Sequence, residues 1–589
     1  TEPDESTATE VGPDARTVDR RMTDDLGERL DTARPAIRAG VVLIATSVAW
    51  RIRFVQDDAF ISFRFARNLA EGRGLVFNPG ERVEGYTNVL WTALMAVPEH
   101  LGWSTPTFSQ IVSLGLMVCT LLLCERLAVH VLGDRRTALL ALVALAANAS
   151  FLAYGTGGLE TMLQTCSITA VAVLLLRPPP PVPFAVRRLV GRQALAGVLA
   201  GLAFLTRMDS AVLVAALLVV HLTRELRQLA PPGRPAAALR GASAFMAPVV
   251  VAAAALLVWR WEYYGELLPN TFDAKSGSNP LLSVLFALAY ILAFAVSYGY
   301  VALAPRARRH WSRFRSTPAG IALVVVVGVW LAYVVYVGAD FMEFRFFVPV
   351  MPMIAVVVAY FLDRYRHRWR QIVLISVMLL LSAAHVRPGL AFPAYALPDL
   401  RAWPQESPES MQQLGAMLHE TFPGGVDAPD QVVMATGTLG VLPYYSELPT
   451  VDMLGLADEY VADHGEPSAI YYPGHNRVAP VQYLVDREVN LVSQIRALVE
   501  PDQSRTEYRL SELTEVYPVV DLADLPAEAR ALEVDVGSRS WLLIYLTPHP
   551  AVEEQIRDGG WRTYPISSEC RASDLGFAVR LLGTATCGT

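Results

Sequence analysis

Asp57 and Asp58 stand side by side at the head of a helical pattern, DDAFISFRFARNLAEG, that follows the first apolar segment. On that pattern Phe60, Arg64 and Arg67 share one face and Ile61, Phe65 and Leu69 another, with Gly72 as the expected C-cap. A carboxylate here has three uses in chemistry. It can take a proton from a hydroxyl, help hold a divalent cation, or stabilise an oxocarbenium-like centre. Neighbouring residues point in different directions, so a face-to-face dyad is not expected. One aspartate should cap the helix and the other reach into a cavity; the bland alternative is that both are caps. Arg64 and Arg67 offer rigid forks suited to a phosphate diester, and Arg207, Lys275 and Arg345 are further cations on the same side of the membrane. Glu84, Tyr86 and Thr87 are placed to hydrogen-bond a sugar. Asn78-Pro79-Gly80 reads as a turn and Asn88 as an N-cap.

The elements that must hold these residues are apolar. The chain has 589 residues, 53% hydrophobic and only 18% charged, against about a quarter charged in an ordinary soluble protein. The net charge of −7 matters less than where the basic residues sit. Apolar blocks lie near 37–53, 108–131, 137–153, 161–176, 193–206, 211–222, 242–259, 281–303, 319–337, 347–363 and 371–386. If the N-terminus is cytoplasmic and each block crosses once, every dense Arg-rich loop falls on one side: 135–136, 187–192, 224–240, 306–315 and 364–370. Residues 89–101 are too short to span and would invert that pattern, so they are expected along the interface.

The expected organisation is a disordered cytoplasmic tail over 1–34, a transmembrane domain of about 11 helices over 35–386, and an extracytoplasmic domain over 387–589. The external loop 54–106 carries the interfacial helices. No cleavable signal peptide is visible, and the expected location is the plasma membrane, multi-pass, with the active site outside. The outside loops hold Glu160, Asp209, Asn270 and Asp340 beside the cations named above. Ionisable groups at membrane depth are costly unless they face protein or water, so these loops predict one shared polar cavity that also touches sugar. Ordinary interfacial charges are the competing reading.

Beyond Arg387 the pattern changes. SPESMQQLGAMLHETF reads as an amphipathic helix, QVVMATGTLGVLPYYSELPTVDML as strand, turn, short helix, strand, and WLLIYLTPHPAVEEQIRDGGWRTYPI as strand, helix, strand, with FAVRLLG as a last strand. This is a mixed α/β domain. Of five cysteines, Cys119, Cys124 and Cys166 lie in apolar blocks, while Cys570 and Cys587 are the pair expected to form a disulfide. Asp458, Asp463, His464, Glu466 and His475 cluster in sequence without the spacing of a standard metal site.

The acidic pair in the first external loop, an interfacial helix after it and an external C-terminal domain resemble the GT-C class of polyprenyl-phosphate-dependent glycosyltransferases. Within that class DDAFISFRFARNLAEGRGLVFNPGERVEGYTN, GGLETML, LPNTFDAKSG and GADFMEFRFFVP are similar to the AftB-type arabinofuranosyltransferases of actinobacterial cell walls. The resemblance implies transfer of arabinofuranose in β-(1→2) linkage from decaprenyl-phosphoryl-arabinose to the ends of arabinan on arabinogalactan or lipoarabinomannan. It implies Asp57 or Asp58 as the catalytic carboxylate, membrane lipids as surroundings and no nucleic acid. No cofactor is implied with certainty; a divalent cation at Asp57 or Asp58 stays open. A mannosyl- or other GT-C transferase using a lipid-phosphate sugar is the alternative, with a lipid-linked sugar transporter behind it.

Overall fold

The computed structural model describes residues 15–177, 185–228, 234–274, 280–365, 367–385, 410–467, 476–500, 504–509, 513 and 525–567. Through residue 385 it is helical. The helices are α1 (Ala15–Arg51), α2 (Asp57–Ala70), α3 (Val89–Leu101), α4 (Thr105–Leu132), α5 (Arg135–Ala146), α6 (Ala149–Tyr154), α7 (Thr161–Leu176), α8 (Ala185–Thr206), α9 (Ser210–Gln228), α10 (Arg234–Tyr264), α11 (Thr271–Ala274), α12 (Pro280–Ser297), α13 (Ala304–Arg315), α14 (Pro318–Tyr336), α15 (Met351–Asp363) and α16 (Arg368–His385). Every apolar block of the sequence lies in helical structure, most of them in a single helix. Among the described residues, five of these segments are long and apolar enough to cross a membrane, and three shorter ones are also apolar. The protein is a membrane protein.

Three details differ from expectation. The stretch expected to be a structureless tail is helical from Ala15. The block 137–153 is not one helix: it breaks at Asn148, whose side chain accepts the Phe151 N–H and starts α6 afresh. Residues 345–350 form a 3-10 turn before α15, entered through Gly338, Ala339 and Phe344 at positive φ. Ala339 and Phe344 hold a left-handed backbone that L side chains rarely adopt, so this turn is shaped by its surroundings.

The C-terminal part is a mixed sheet of seven strands in the order β2-β1-β5-β8-β7-β9-β6. Its strands are β1 (Met434–Thr436), β2 (Thr450–Asp452), β5 (Leu491–Val499), β6 (Tyr508–Arg509), β7 (Arg530–Val536), β8 (Arg539–Tyr545) and β9 (Arg562–Ser567), while β3 (Glu466–Pro467) and β4 (Arg477–Val478) form a separate ribbon. β1 lies parallel between β2 and β5, and β5, β8, β7 and β9 then run antiparallel in turn. The strand-helix-strand readings at 434–452 and 539–567 match the structure, with helices Val441–Ser446 and Pro550–Asp558 between the strands. The amphipathic helix spans Met411–Thr421, capped by Ser410. FAVRLLG, Cys570, Cys587 and His475 lie outside the described residues.

Two cores result. One runs from the membrane helices into the helix Met411–Thr421 and one face of the sheet; a second fills the other face. The first is continuous because α2 is wedged into the C-terminal part: Phe60 packs edge-on against Tyr444, with ring centroids 5.2 Å apart.

Candidate active site

Gln56, not an aspartate, caps α2: its side-chain oxygen accepts the Asp58 N–H at 2.6 Å. That leaves both carboxylates for other work, and one residue of helical rotation sends them apart. Asp57 is 5% exposed and accepts the backbone N–H groups of Val441 at 2.8 Å and Gly440 at 3.3 Å. Those N–H groups follow β1, past the carboxyl end of a parallel strand, the place where open α/β sheets seat their ligands. Here the seat is filled from within the chain. The fit needs a glycine, since a Cβ on residue 440 would lie 1.9 Å from the Asp57 carbonyl oxygen. Burial pushes the Asp57 carboxyl up to about 7, with Asp58 adding and the two N–H groups opposing.

Asp58 faces the other way. Its side chain is 33% exposed, with Oδ2 3.9 Å from Arg345 Nη1. Arg345 in turn donates Nε–H to Asp340 at 2.6 Å. Beside it, Arg207 donates to Glu160 at 2.8 Å and, through Nη2, to Asp209 at 2.7 Å. Arg207 and Arg345 both approach one ring, Phe346, at 5.9 and 5.8 Å from its centroid. Two guanidiniums and the carboxylates of Asp58, Glu160, Asp209 and Asp340 thus form one cluster, drawn from the starts of α2 and α7, the α8–α9 turn and the loop before α15. Burial works against the charge of Arg207, but Asp209 and Glu160 outweigh it and hold the guanidinium well above its ordinary value. Glu160 is buried too, yet Arg207 and hydrogen bonds from Asn88 and Arg207 bring its carboxyl below the usual range. These charges are fixed before any ligand arrives.

The remaining expected residues divide. Arg64 is not a phosphate ligand. It is 4% exposed, and its guanidinium donates to the carbonyls of Phe77, Pro443 and Leu448 and to Asn78 Oδ1 at 2.6–3.2 Å. Arg67 is spent similarly on Glu99, Glu447 and the Tyr444 carbonyl. The arginine face of α2 therefore clasps the C-terminal part, a partner some 380 residues away that no local pattern announces. Glu84 is not at a sugar but in a buried pair with Arg260 at 2.8 Å. Tyr86 is buried and shares its hydroxyl with Tyr264 at 3.1 Å. Asn270 donates to the carbonyls of Gly455, Leu456 and Asp458, again docking the sheet. Thr87 is half-buried between Tyr86 and Asn88. Lys275 lies outside the described residues.

Asn88 stands at the expected N-cap position of α3, but its side chain makes no capping bond: it takes hydrogen bonds from Ser62 and Thr92 and donates to Glu160 at 2.7 Å, tying α2 and α3 to the cluster. Gln164 steadies Asp209 at 2.7 Å. Tyr154 carries a buried hydroxyl without a hydrogen-bond partner, within electrostatic reach of Asp340 and Arg345. A polar residue at the very edge of an apolar block was the signal for Tyr154, Gln164 and Arg260. Among the described residues no group of three or more His, Cys, Asp or Glu side chains is placed to hold a metal ion. Both Asp57 oxygens already accept N–H groups, so a cation at Asp57 would compete with bonds the fold makes.

A helical membrane body with a charged cluster at one end, joined to a mixed α/β sheet, is the GT-C fold. The crystal structure of ArnT from Cupriavidus metallidurans bound to undecaprenyl phosphate shares it, with a TM-score of 0.54, 14% identity, and coverage of 87% of this chain and 98% of that one. In sequence the chain is similar to the terminal β-(1→2)-arabinofuranosyltransferase of Mycobacterium tuberculosis, 29% identical over 351 residues, 52% of this chain and 54% of that protein. The protein of the same name from Corynebacterium glutamicum is 42% identical over 62 residues, 10% of this chain and 9% of that one. The chain spans about half the length of the mycobacterial relative it matches. A domain family of unknown function, DUF8728, matches residues 401–543.

Proposed function

We propose that the chain transfers arabinofuranose from decaprenyl-phosphoryl-arabinose to the non-reducing ends of cell-wall arabinan, forming a β-(1→2) linkage. The observation that carries this reading is the partly exposed Asp58 carboxylate facing Arg345, with Arg207 near the same Phe346 ring. The likeness to a named arabinofuranosyltransferase supports the sugar. Arg345 and Arg207 receive the lipid phosphate as it departs and offset its growing charge. Glu160, Asp209 and Asp340 orient those guanidiniums, and Asp58 acts at the sugar.

A β-linked donor and a β-linked product mean net retention, whereas in-line attack by a hydroxyl would invert. Two routes satisfy retention: a carboxylate nucleophile followed by a second displacement, or departure and attack on the same face. In either route Asp58 is the acting carboxylate and Asp57 the clasp. We place the N-terminus in the cytoplasm and Asp58 with the C-terminal sheet outside, because that orientation puts every Arg-rich loop inside. The test is a membrane-fraction assay with radiolabelled decaprenyl-phosphoryl-arabinose and a short arabinan acceptor. Asp58→Asn is expected to abolish transfer, and full activity in that variant would refute the assignment. Replacing the donor with a mannosyl lipid separates this reading from the alternative.

A further inference from the structure

At the far end of the molecule α1 and α4 enclose a second charged cavity. Arg34, Arg38, Glu125, Arg126, His130 and Arg135 line about 400 Å³ of space there. Arg34 lies 17 residues before Arg51 on one continuous helix, about 25 Å at 1.5 Å per residue, so the cavity sits at the membrane face opposite Asp58. Among the described residues four guanidiniums meet a single carboxylate. Glu125, 5% exposed, accepts from Arg34 Nη2 at 2.7 Å, and Arg38 Nη1 lies 4.0 Å from its other oxygen. Asp134, next to Arg135, is spent on the Thr137 N–H and hydroxyl. The cavity therefore carries a surplus of positive charge. The His130 Nδ1 is also buried there without a hydrogen-bond partner.

We propose that this cavity binds the phosphate diester of an anionic lipid from that leaflet. The walls argue for a lipid. Arg126, Leu122, Cys119, Gly115 and Ile111 are all exposed and recur every three or four residues along α4. Beyond Arg126 the other four make one uncharged stripe leading from the cavity toward the bilayer interior, the path that acyl chains would follow. Arg34, held by Glu125, sets the floor, while Arg38 and Arg126 are the exposed clamps.

The test uses the full chain purified in detergent, with lipid retention read by native mass spectrometry. Phosphatidylglycerol should be retained at least tenfold over phosphatidylcholine, whose ammonium group would lie among the guanidiniums. The pair Arg38→Gln and Arg126→Gln leaves the Arg34–Glu125 bond intact and should erase that preference without moving the thermal midpoint. The pair Arg308→Gln and Arg309→Gln, exposed on α13, should leave the preference unchanged. The proposal is overturned if the first pair keeps the preference, or if both pairs lose it equally, which would mean general surface charge. It is also overturned if millimolar inorganic phosphate displaces phosphatidylglycerol, since the occupant would then be a free anion.

Discussion

Two adjacent aspartates in this chain should fail in opposite ways. Asp57→Asn alters a buried clasp between α2 and the sheet, whereas Asp58→Asn alters a partly exposed group beside two guanidiniums. For Asp58 the expected loss is kinetic. A positioned acid–base group contributes about 10²–10⁴-fold, or roughly 3–5 kcal/mol of barrier, and a nucleophile more. For Asp57 it is a change in stability with pH. Burial raises its carboxyl from the ordinary 3.8 to about 7 in the fold. The folded protein then keeps a proton that the unfolded chain has released, so stability falls as pH rises from about 4 to about 7. At about 1.4 kcal/mol per pH unit that window is worth about 4 kcal/mol as an upper bound. Asparagine does not titrate, so Asp57→Asn should flatten this slope and gain on the wild type by about 3 kcal/mol between pH 5 and pH 7.5. Thermal unfolding in detergent, followed by tryptophan fluorescence at several pH values, measures this, with transfer rates taken on the same preparations. Parallel pH profiles for wild type and Asp57→Asn, or normal turnover in Asp58→Asn, would refute the division of labour.

Other substitutions probe the same clasp and cluster. Arg64→Met strips donors from three carbonyls and Asn78, and should cost about 3 kcal/mol or more, read as a lowered thermal midpoint. Gly440→Ala forces a methyl group against the Asp57 backbone. It should cost about 1–3 kcal/mol and speed hydrogen exchange at the helix Val441–Ser446. Glu84→Gln leaves Arg260 buried without its counter-charge, and should destabilise by about 3–5 kcal/mol although neither residue touches the cluster carboxylates. Arg207→Lys keeps the charge but loses the forked contact to Glu160 and Asp209; transfer should slow while the thermal midpoint moves little.

Much of the architecture was legible because membrane segments declare themselves by composition alone. The apolar blocks became helical, with 137–153 broken in two, and the strand-helix-strand readings around β1, β2, β8 and β9 match because period-2 and period-3.6 patterns are local properties. That Glu160, Asp209, Asp340, Arg207 and Arg345 share one polar setting was also readable, since charge beside an apolar block needs one, but neither the Gln56 cap nor which of Asp57 and Asp58 faces that setting was.

What the chain's own order of residues could not decide was which charges face each other. Arg64 and Arg345 look alike as letters, each a guanidinium near an external loop. Only folding shows that the first is spent on Pro443 and Leu448, while the second faces a carboxylate that water can reach. The same holds for Glu84 against Glu160 and for Asn78 and Asn88. The physical reason is range. Helix, strand and membrane preference are set by neighbours within a few residues, but whether a charged group is consumed or available depends on partners hundreds of residues away, brought close by packing.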